Sequence, residues 1–207
     1  MKRYILVFLA FFILTSADNS KPKVLIIGDS ISLGYTPYVK ELMKDEAIVI
    51  HNKGNAAYTG TGLIHIDDWL GEEDWDVIHF NWGLWDMYGW RFKDTLRTPD
   101  VYAENLEILL TRLEETGAKL IWATTTPVCP APERNDLMVI DSKTEKAYRK
   151  AALRVMKKHK VQVNDLYASI KPKRNDFAIG DNNVHFTSEG YQFLAEQVAD
   201  EIRKNLK

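Results

Sequence analysis

Cysteine is nearly absent from this chain: Cys129 stands alone among 207 residues. That excludes an intrachain disulfide and a cysteine-rich zinc site. An excess of one charge is also lacking. Twenty-seven Lys and Arg against 29 Asp and Glu give a formal net charge of −2. There is no basic stripe, so nucleic acid is not an expected partner. Internal repeats, low-complexity stretches and linkers are missing too. The length suits one domain with a single core. No apolar run is long enough to span a bilayer comfortably. The run at the start, Tyr4 to Leu14, has eleven residues, against about 20 for a spanning helix. It follows Lys2 and Arg3 and precedes Thr15-Ser16-Ala17, small residues suited to cleavage before Asp18. Residues 1–17 are therefore expected to be a signal peptide and 21–207 the folded domain. The expected location is the periplasm or the cell exterior, with no stable membrane anchor after cleavage.

What is present is an alternation of strand-like and helical patterns. Strands are expected at Lys23 to Ile27, Ala47 to His51, Asp76 to Asn81, Lys119 to Thr125 and Val161 to Val163. Helices are expected around Tyr38 to Lys44, then at Pro99 to Thr116, Asp141 to Lys160 and Ser188 to Leu206. Pro99 suits a helix start, and Gly117 a stop. The alternation predicts an α/β fold: a flavodoxin-like three-layer sandwich around a five-stranded parallel sheet. Two long loops remain, Trp82 to Thr98 and Thr126 to Ile140. In compact domains such loops are commonly functional.

The most informative stretch is Val24 to Ser32, VLIIGDSIS. Its apolar run reads as a strand buried on both faces. Gly28 allows a sharp exit, and Ser30 then lies at the carboxyl end of the strand, where open α/β sheets place their ligand sites. A helix starting just after it would surround the hydroxyl with free N–H groups. That setting suits a nucleophile; the plainer reading is an N-cap. Far along the chain, His185 lies in Asn182-Asn183-Val184-His185-Phe186-Thr187-Ser188-Glu189-Gly190-Tyr191. It precedes a plausible N-cap and an amphipathic helix with Tyr191, Leu194, Ala195, Val198 and Ile202 on one face. The other histidines, His51, His65, His79 and His159, read as structural or exposed, although His51 and His79 sit near strand ends.

A serine after the first strand and a histidine before the last helix is the chain order of the SGNH hydrolases, or GDSL esterases. The chain resembles that family over nearly all of its mature length. Gly28-Asp29-Ser30-Ile31-Ser32 matches the first family block, and His185 with Phe-Thr-x-x-Gly-Tyr matches the last. The resemblance implies Ser30 as nucleophile and His185 as its base. It also implies an oxyanion hole from the Ser30 N–H, a second-block glycine and a third-block asparagine. Here the glycine position falls on Ala56 or Ala57, depending on one gap. An alanine serves there if its φ is negative. Trp85 stands where the family has asparagine, and Asn81 is the expected replacement. The family acid, three residues before the histidine, is Asn182 here. Asp181 is the expected acid, through a one-residue bulge; the alternative is Asn182 or a backbone carbonyl. No cofactor or metal is implied.

Aromatics crowd the segment after the third strand: Trp82, Trp85, Tyr88, Trp90 and Phe92. With Tyr58, the residues Trp82, Trp85 and Trp90 are expected to line a substrate wall, against the plainer reading of core packing. The implied function is a secreted serine esterase acting on acyl esters, acetyl esters of a carbohydrate foremost. Its partner would be a small-molecule or polysaccharide ester. A lysophospholipase or thioesterase is the enzymatic alternative. A degenerate carbohydrate-binding protein is the alternative of another class.

Overall fold

The computed structural model describes residues 20–91, 94–128, 140–181 and 183–206. The signal-peptide expectation and Asn182 therefore lie outside the described residues, as does most of the second long loop. Five strands form one parallel sheet: β1 (Lys23–Ile27), β2 (Ile48–His51), β3 (Val77–Phe80), β4 (Lys119–Ala123) and β5 (Gln162–Asn164). Their spatial order is β2-β1-β3-β4-β5, the flavodoxin-like order expected from the alternation. Every residue of β3 is buried, and so are four of the five in β1. This explains why β1 reads as an apolar run from Val24 on, and β3 as one interrupted only by His79. Edge strand β2 instead alternates, with Ile48 and Ile50 exposed and Val49 inward.

The crossover helices are α1 (Ser30–Leu42), α2 (Thr59–Leu70), α4 (Pro99–Glu114) and α5 (Ser142–His159); α3 (Leu84–Arg91) is a short helix after β3. Two short helices, α6 (Leu166–Ile170) and α7 (Arg174–Phe177), lead to the last one, α8 (Ser188–Asn205). α1 packs on α8, while α2, α4 and α5 pack side by side. Among the described residues, no helix is long and apolar enough to cross a membrane.

Three differences from the sequence reading have physical causes. α1 begins at Ser30, not near Tyr38, and runs through Pro37. Pro37 and Leu33, one turn before it, are both exposed, so the bond that proline removes is lost on the wet side of the helix. α2 escapes a propensity reading because Gly60, Gly62 and Thr59 disguise its start. Its first N–H is satisfied from elsewhere in the chain, by Asp86. α3 occupies part of the expected loop Trp82 to Thr98, because Leu84, Met87 and Tyr88 share a buried face.

Register gathers the carboxyl ends of three strands. Ile26 pairs with His51, and Ile27 with Phe80. Residues 28–30, 52–58 and 81–86 therefore emerge together where the strand order reverses, the crevice in which such sheets hold ligands.

Candidate active site

Ser30 is the first residue of α1 and is half-buried. The turn that carries it is fixed on both sides. The carboxylate of Asp29 caps the helix by accepting the Ile31 N–H at 2.9 Å. Burial pushes the Asp29 carboxyl up to about 6, so above that pH the cap is an anion. Before the serine, the Gly28 N–H donates to Asn52 Oδ1 at 2.9 Å, and the Gly28 carbonyl accepts the Ala56 N–H at 2.9 Å. The Ser30 N–H stands at the helix N-terminus, where N–H groups have no partner inside the helix and the dipole favours negative charge.

His185 approaches from the opposite end of the chain. Its Nε2 lies 2.9 Å from Ser30 Oγ, across 155 positions of sequence. Its Nδ1 lies 2.8 Å from Asn183 Oδ1, which also accepts the His185 backbone N–H at 3.0 Å. That second bond identifies the Asn183 atom as an acceptor. Nδ1 must then carry hydrogen, and Nε2 presents its lone pair to the serine hydroxyl. Burial holds the imidazole below its ordinary pKa, which keeps it neutral at pH 7. The histidine loop is closed by a bridge between Ala178 and Phe186, by the Thr187 N–H donating to the Phe177 carbonyl at 2.7 Å, and by Arg174, whose guanidinium donates to the Asn183 carbonyl at 3.0 Å.

Asn183 thus stands where Asp181 was expected. The side chain of Asp181 is exposed, and its backbone carbonyl faces Arg174. The reason is local. In Asn-x-His the asparagine oxygen reaches the N–H two residues on, a common turn, and from there it meets the ring as well. The sequence offered this signal. The family spacing of three residues drew attention away from it.

The two halves of the pair are brought into register by helix packing. A Cβ on Gly34 of α1 would lie 2.2 Å from the ring of Tyr191 on α8. Only a glycine lets the helices approach this closely. Phe186 meets the same ring edge-on at 5.9 Å, so the histidine loop rides on the contact.

The expected oxyanion donors fare differently. The Ala56 N–H is spent on Gly28, and Ala56 is fully buried. The Asn81 amide donates to the Ala123 carbonyl at 2.7 Å and to Thr125 Oγ1 at 3.1 Å. Both its hydrogens therefore join the ends of β3 and β4, and Asn81 is corrected from donor to brace. Ala57 remains. Its φ is +46°, not the negative value that an alanine prefers. Its N–H donates to Oδ1 of the exposed Asn55 at 2.8 Å. Gly83, with φ +147°, passes so near Thr125 and the Tyr102 hydroxyl that a Cβ would meet Thr125 Oγ1 at 2.6 Å.

The aromatic wall is smaller than expected. Trp82 is fully buried and stacks on Trp69 with ring centroids 6.5 Å apart. It is core, because α2 and α4 cover that side of the sheet. The side chain of Trp90 lies outside the described residues. Trp85, in the first turn of α3, is 41 % exposed. Tyr58 is half-buried under the Arg97 guanidinium, 3.8 Å from the ring centroid. Arg97 pairs with Asp94 at 3.0 Å and donates to the Trp85 carbonyl at 3.3 Å. Neighbouring Asp86 is fully buried and accepts the Thr59 hydroxyl at 2.6 Å. Burial raises its carboxyl to about 7. Asp86 and Arg97 thereby hold residues 58 and 59 against the Trp85 segment.

Comparison with known proteins agrees with this arrangement. The model of the GDSL-like lipase/acylhydrolase family matches residues 26–193. An arylesterase of Vibrio mimicus is 24% identical over 209 residues, covering 95% of this chain and 96% of that protein. The structure resembles a lipase/acylhydrolase from Enterococcus faecalis with a TM-score of 0.74, at 24% identity over 90% of this chain and 97% of the other. It also resembles an acetylxylan esterase from Geobacillus stearothermophilus with a TM-score of 0.71, at 19% identity over 88% and 94%. A match spanning most of the sequence, from the first strand into the last helix, leaves one conclusion: the chain belongs to the GDSL-like lipase/acylhydrolase family and is a carboxylic ester hydrolase.

Proposed function

We propose that this esterase is exported and removes acetyl groups from a carbohydrate, with Ser30 as nucleophile and His185 as general base. The observation that carries the mechanism is the 2.9 Å contact between Ser30 Oγ and His185 Nε2, with Nδ1 held by Asn183. Ser30 Oγ attacks the ester carbonyl carbon while its proton passes to Nε2. The carbonyl oxygen becomes an oxyanion facing the Ser30 N–H, and the Ala57 N–H once Asn55 turns aside. Each such donor is worth about 3 kcal/mol in the transition state. The C–O bond then breaks, and the departing alkoxide takes the proton from Nε2. Water attacks the acyl carbon and gives a proton to Nε2; the bond to Ser30 Oγ then breaks, Oγ takes that proton back, and the acid leaves with Ser30 and His185 restored.

The acetyl preference and the carbohydrate substrate rest on the exposed Trp85 indole, a flat apolar face suited to stacking on a sugar ring, and on the acetylxylan esterase likeness. Export rests on the basic start and short apolar run before Asp18.

A series of aryl esters of increasing acyl length tests the acyl group, and acetate release from acetylated polysaccharides tests the carrier. Acetate is expected to be the best substrate. A preference for long acyl chains redirects the reading to a lysophospholipid or thioester. N-terminal sequencing of protein from the periplasm of a bacterial host should begin near Asp18. Intact Met1 on membrane-bound protein overturns cleavage.

A further inference from the structure

A second serine–histidine pair lies beside the first. Ser32, one residue beyond Ile31 on α1, is buried, and its Oγ lies 2.7 Å from His51 Nε2. The same hydroxyl lies 2.7 Å from the backbone carbonyl of Asp29. His51 ends β2, and its Nδ1 lies 2.8 Å from the Asn52 carbonyl. Asn52, in turn, holds the Gly28 N–H through its side chain.

Counting protons fixes the direction of each contact. A carbonyl oxygen accepts only, so Nδ1 of His51 carries hydrogen and donates to Asn52. Burial holds His51 below its ordinary pKa, so the ring is neutral and Nε2 bears the lone pair. Ser32 then has one hydrogen for two acceptors, Nε2 and the Asp29 carbonyl. Its hydroxyl is hemmed in by acceptors and, at 3 % exposure, closed to substrate. Ser32 is therefore not a second nucleophile.

What the contacts enclose is Ser30. One tie from the end of β2, Asn52 to Gly28, fastens the chain before the nucleophile. The other, His51 to Ser32, fastens it after. The Asp29 carbonyl is a partner within the same turn and ties α1 to nothing else. Without His51, the first turn of α1 has no side-chain bond to β2 through Ser32.

We infer that His51 is a positioning residue for the reaction: by tying Ser32 to the end of β2 it keeps Ser30 Oγ within hydrogen-bond reach of His185 Nε2. This rests on the reading of Ser30 as nucleophile. It predicts a loss in turnover without a loss in substrate binding, because Ser32 is buried and His51 acts on Ser30 through it.

The test uses the full folded chain and three variants. His51→Phe keeps a ring of similar size and removes both contacts. Ser32→Ala removes the hydroxyl. The third combines them. Each is expected to lower kcat about tenfold with KM within about twofold, since small displacements of reacting groups act on the chemical step. The double variant should be no worse than the poorer single, because both break one tie. The rate of Ser30 labelling by a fluorophosphonate should fall by the same factor, and His51→Gln, whose amide oxygen can accept from Ser32, should recover part of it. A merely structural role lowers the melting temperature while active-site titration shows unchanged kcat per folded molecule; that result overturns the inference, as do additive losses in the double variant. If His51→Phe does not fold, Ser32→Ala carries the same expectation alone. Absence of labelling at Ser30 in the parent protein overturns the nucleophile assignment itself. Equal labelling of parent and variants overturns only the tie.

Discussion

The serine turn and the histidine loop reach the same point by different means. Ser30 leaves a strand buried at 0–1 % exposure and is bracketed by bonds to the end of the neighbouring strand. Its position follows from the sheet. His185 rides on a loop closed by the Ala178–Phe186 bridge with its backbone bonds and by Arg174, and its ring is oriented by a neutral amide. The serine is held by the sheet through two side-chain ties; the histidine is held by its own loop, with an amide, not a carboxylate, on its ring. An amide fixes the tautomer but stabilises the imidazolium less than a carboxylate does.

The largest effect should come from breaking the pair itself. Ser30→Ala, His185→Ala and the double variant should each lose activity by at least about 10³-fold, and by similar factors, since the residues act as a unit. Steady-state turnover on an aryl acetate measures this. A His185→Ala enzyme with near-parent kcat would break the pairing.

The comparison sharpens at Asn183. Asn183→Ala should lower kcat by about 100-fold, because the ring loses its orienter. Asn183→Asp should raise kcat and lift the acid limb of the pH–rate profile, since a carboxylate beside the imidazole favours its charged form. Asp181→Asn should change kcat less than about twofold. The opposite ranking in kinetics of the three variants reassigns the orienter to Asp181.

A buried carboxyl gives a third way to probe the difference between fixed and free segments. Asp86 has a folded pKa of about 7 against an ordinary value of 3.8. The stability that goes with its protonated form is therefore complete below about pH 4 and is lost as pH rises through 7. The loss is on the order of a few kcal/mol. Buried His79 and half-buried His51 and His185 are shifted down, so they act in the opposite sense below about pH 6.5. Thermal melts of parent and Asp86→Asn isolate the carboxyl: their difference should change most between about pH 4 and 7 and level off above that. A constant difference across that range removes Asp86 from the account.

The smallest effect belongs to Ala57. A left-handed alanine is strained by about 1 kcal/mol, and glycine relieves this at some cost in chain entropy. Ala57→Gly should stabilise the fold by about 0.5 kcal/mol, a rise of about 1–2 °C in Tm. A fall in Tm would show that the Asn55 contact outweighs the strain.

The sheet and the position of Ser30 were legible because they follow from burial: β1 and β3 are apolar on both faces, and the strand-to-helix turn needs Gly28 and a capping Asp29. His185 was legible from its chain order and its helix. The oxyanion donors were not. Whether an N–H is free depends on partners far away, such as Gly28 for Ala56 and Ala123 for Asn81. Trp82 and Trp85 look alike in sequence, yet Trp82, just after β3, stacks on Trp69 of α2, while Trp85, on α3, faces water. The start of α2 was hidden because its cap comes from Asp86, 27 positions away. Asn183 was readable, since its turn is local.

The fit of Gly34 against Tyr191 has a consequence for how the protein comes into being. Ser30, the proposed nucleophile, opens α1 near the start of the domain, but its proposed base, His185, sits on the loop that leads into the last helix. Until α8 docks in the groove that a missing side chain leaves on α1, Ser30 is an ordinary hydroxyl. A growing chain that has not yet reached residue 185 carries Ser30 without that base. On the proposed mechanism, hydrolysis then depends on the packing of α8 against α1, and a chain cut before residue 185 cannot activate its serine.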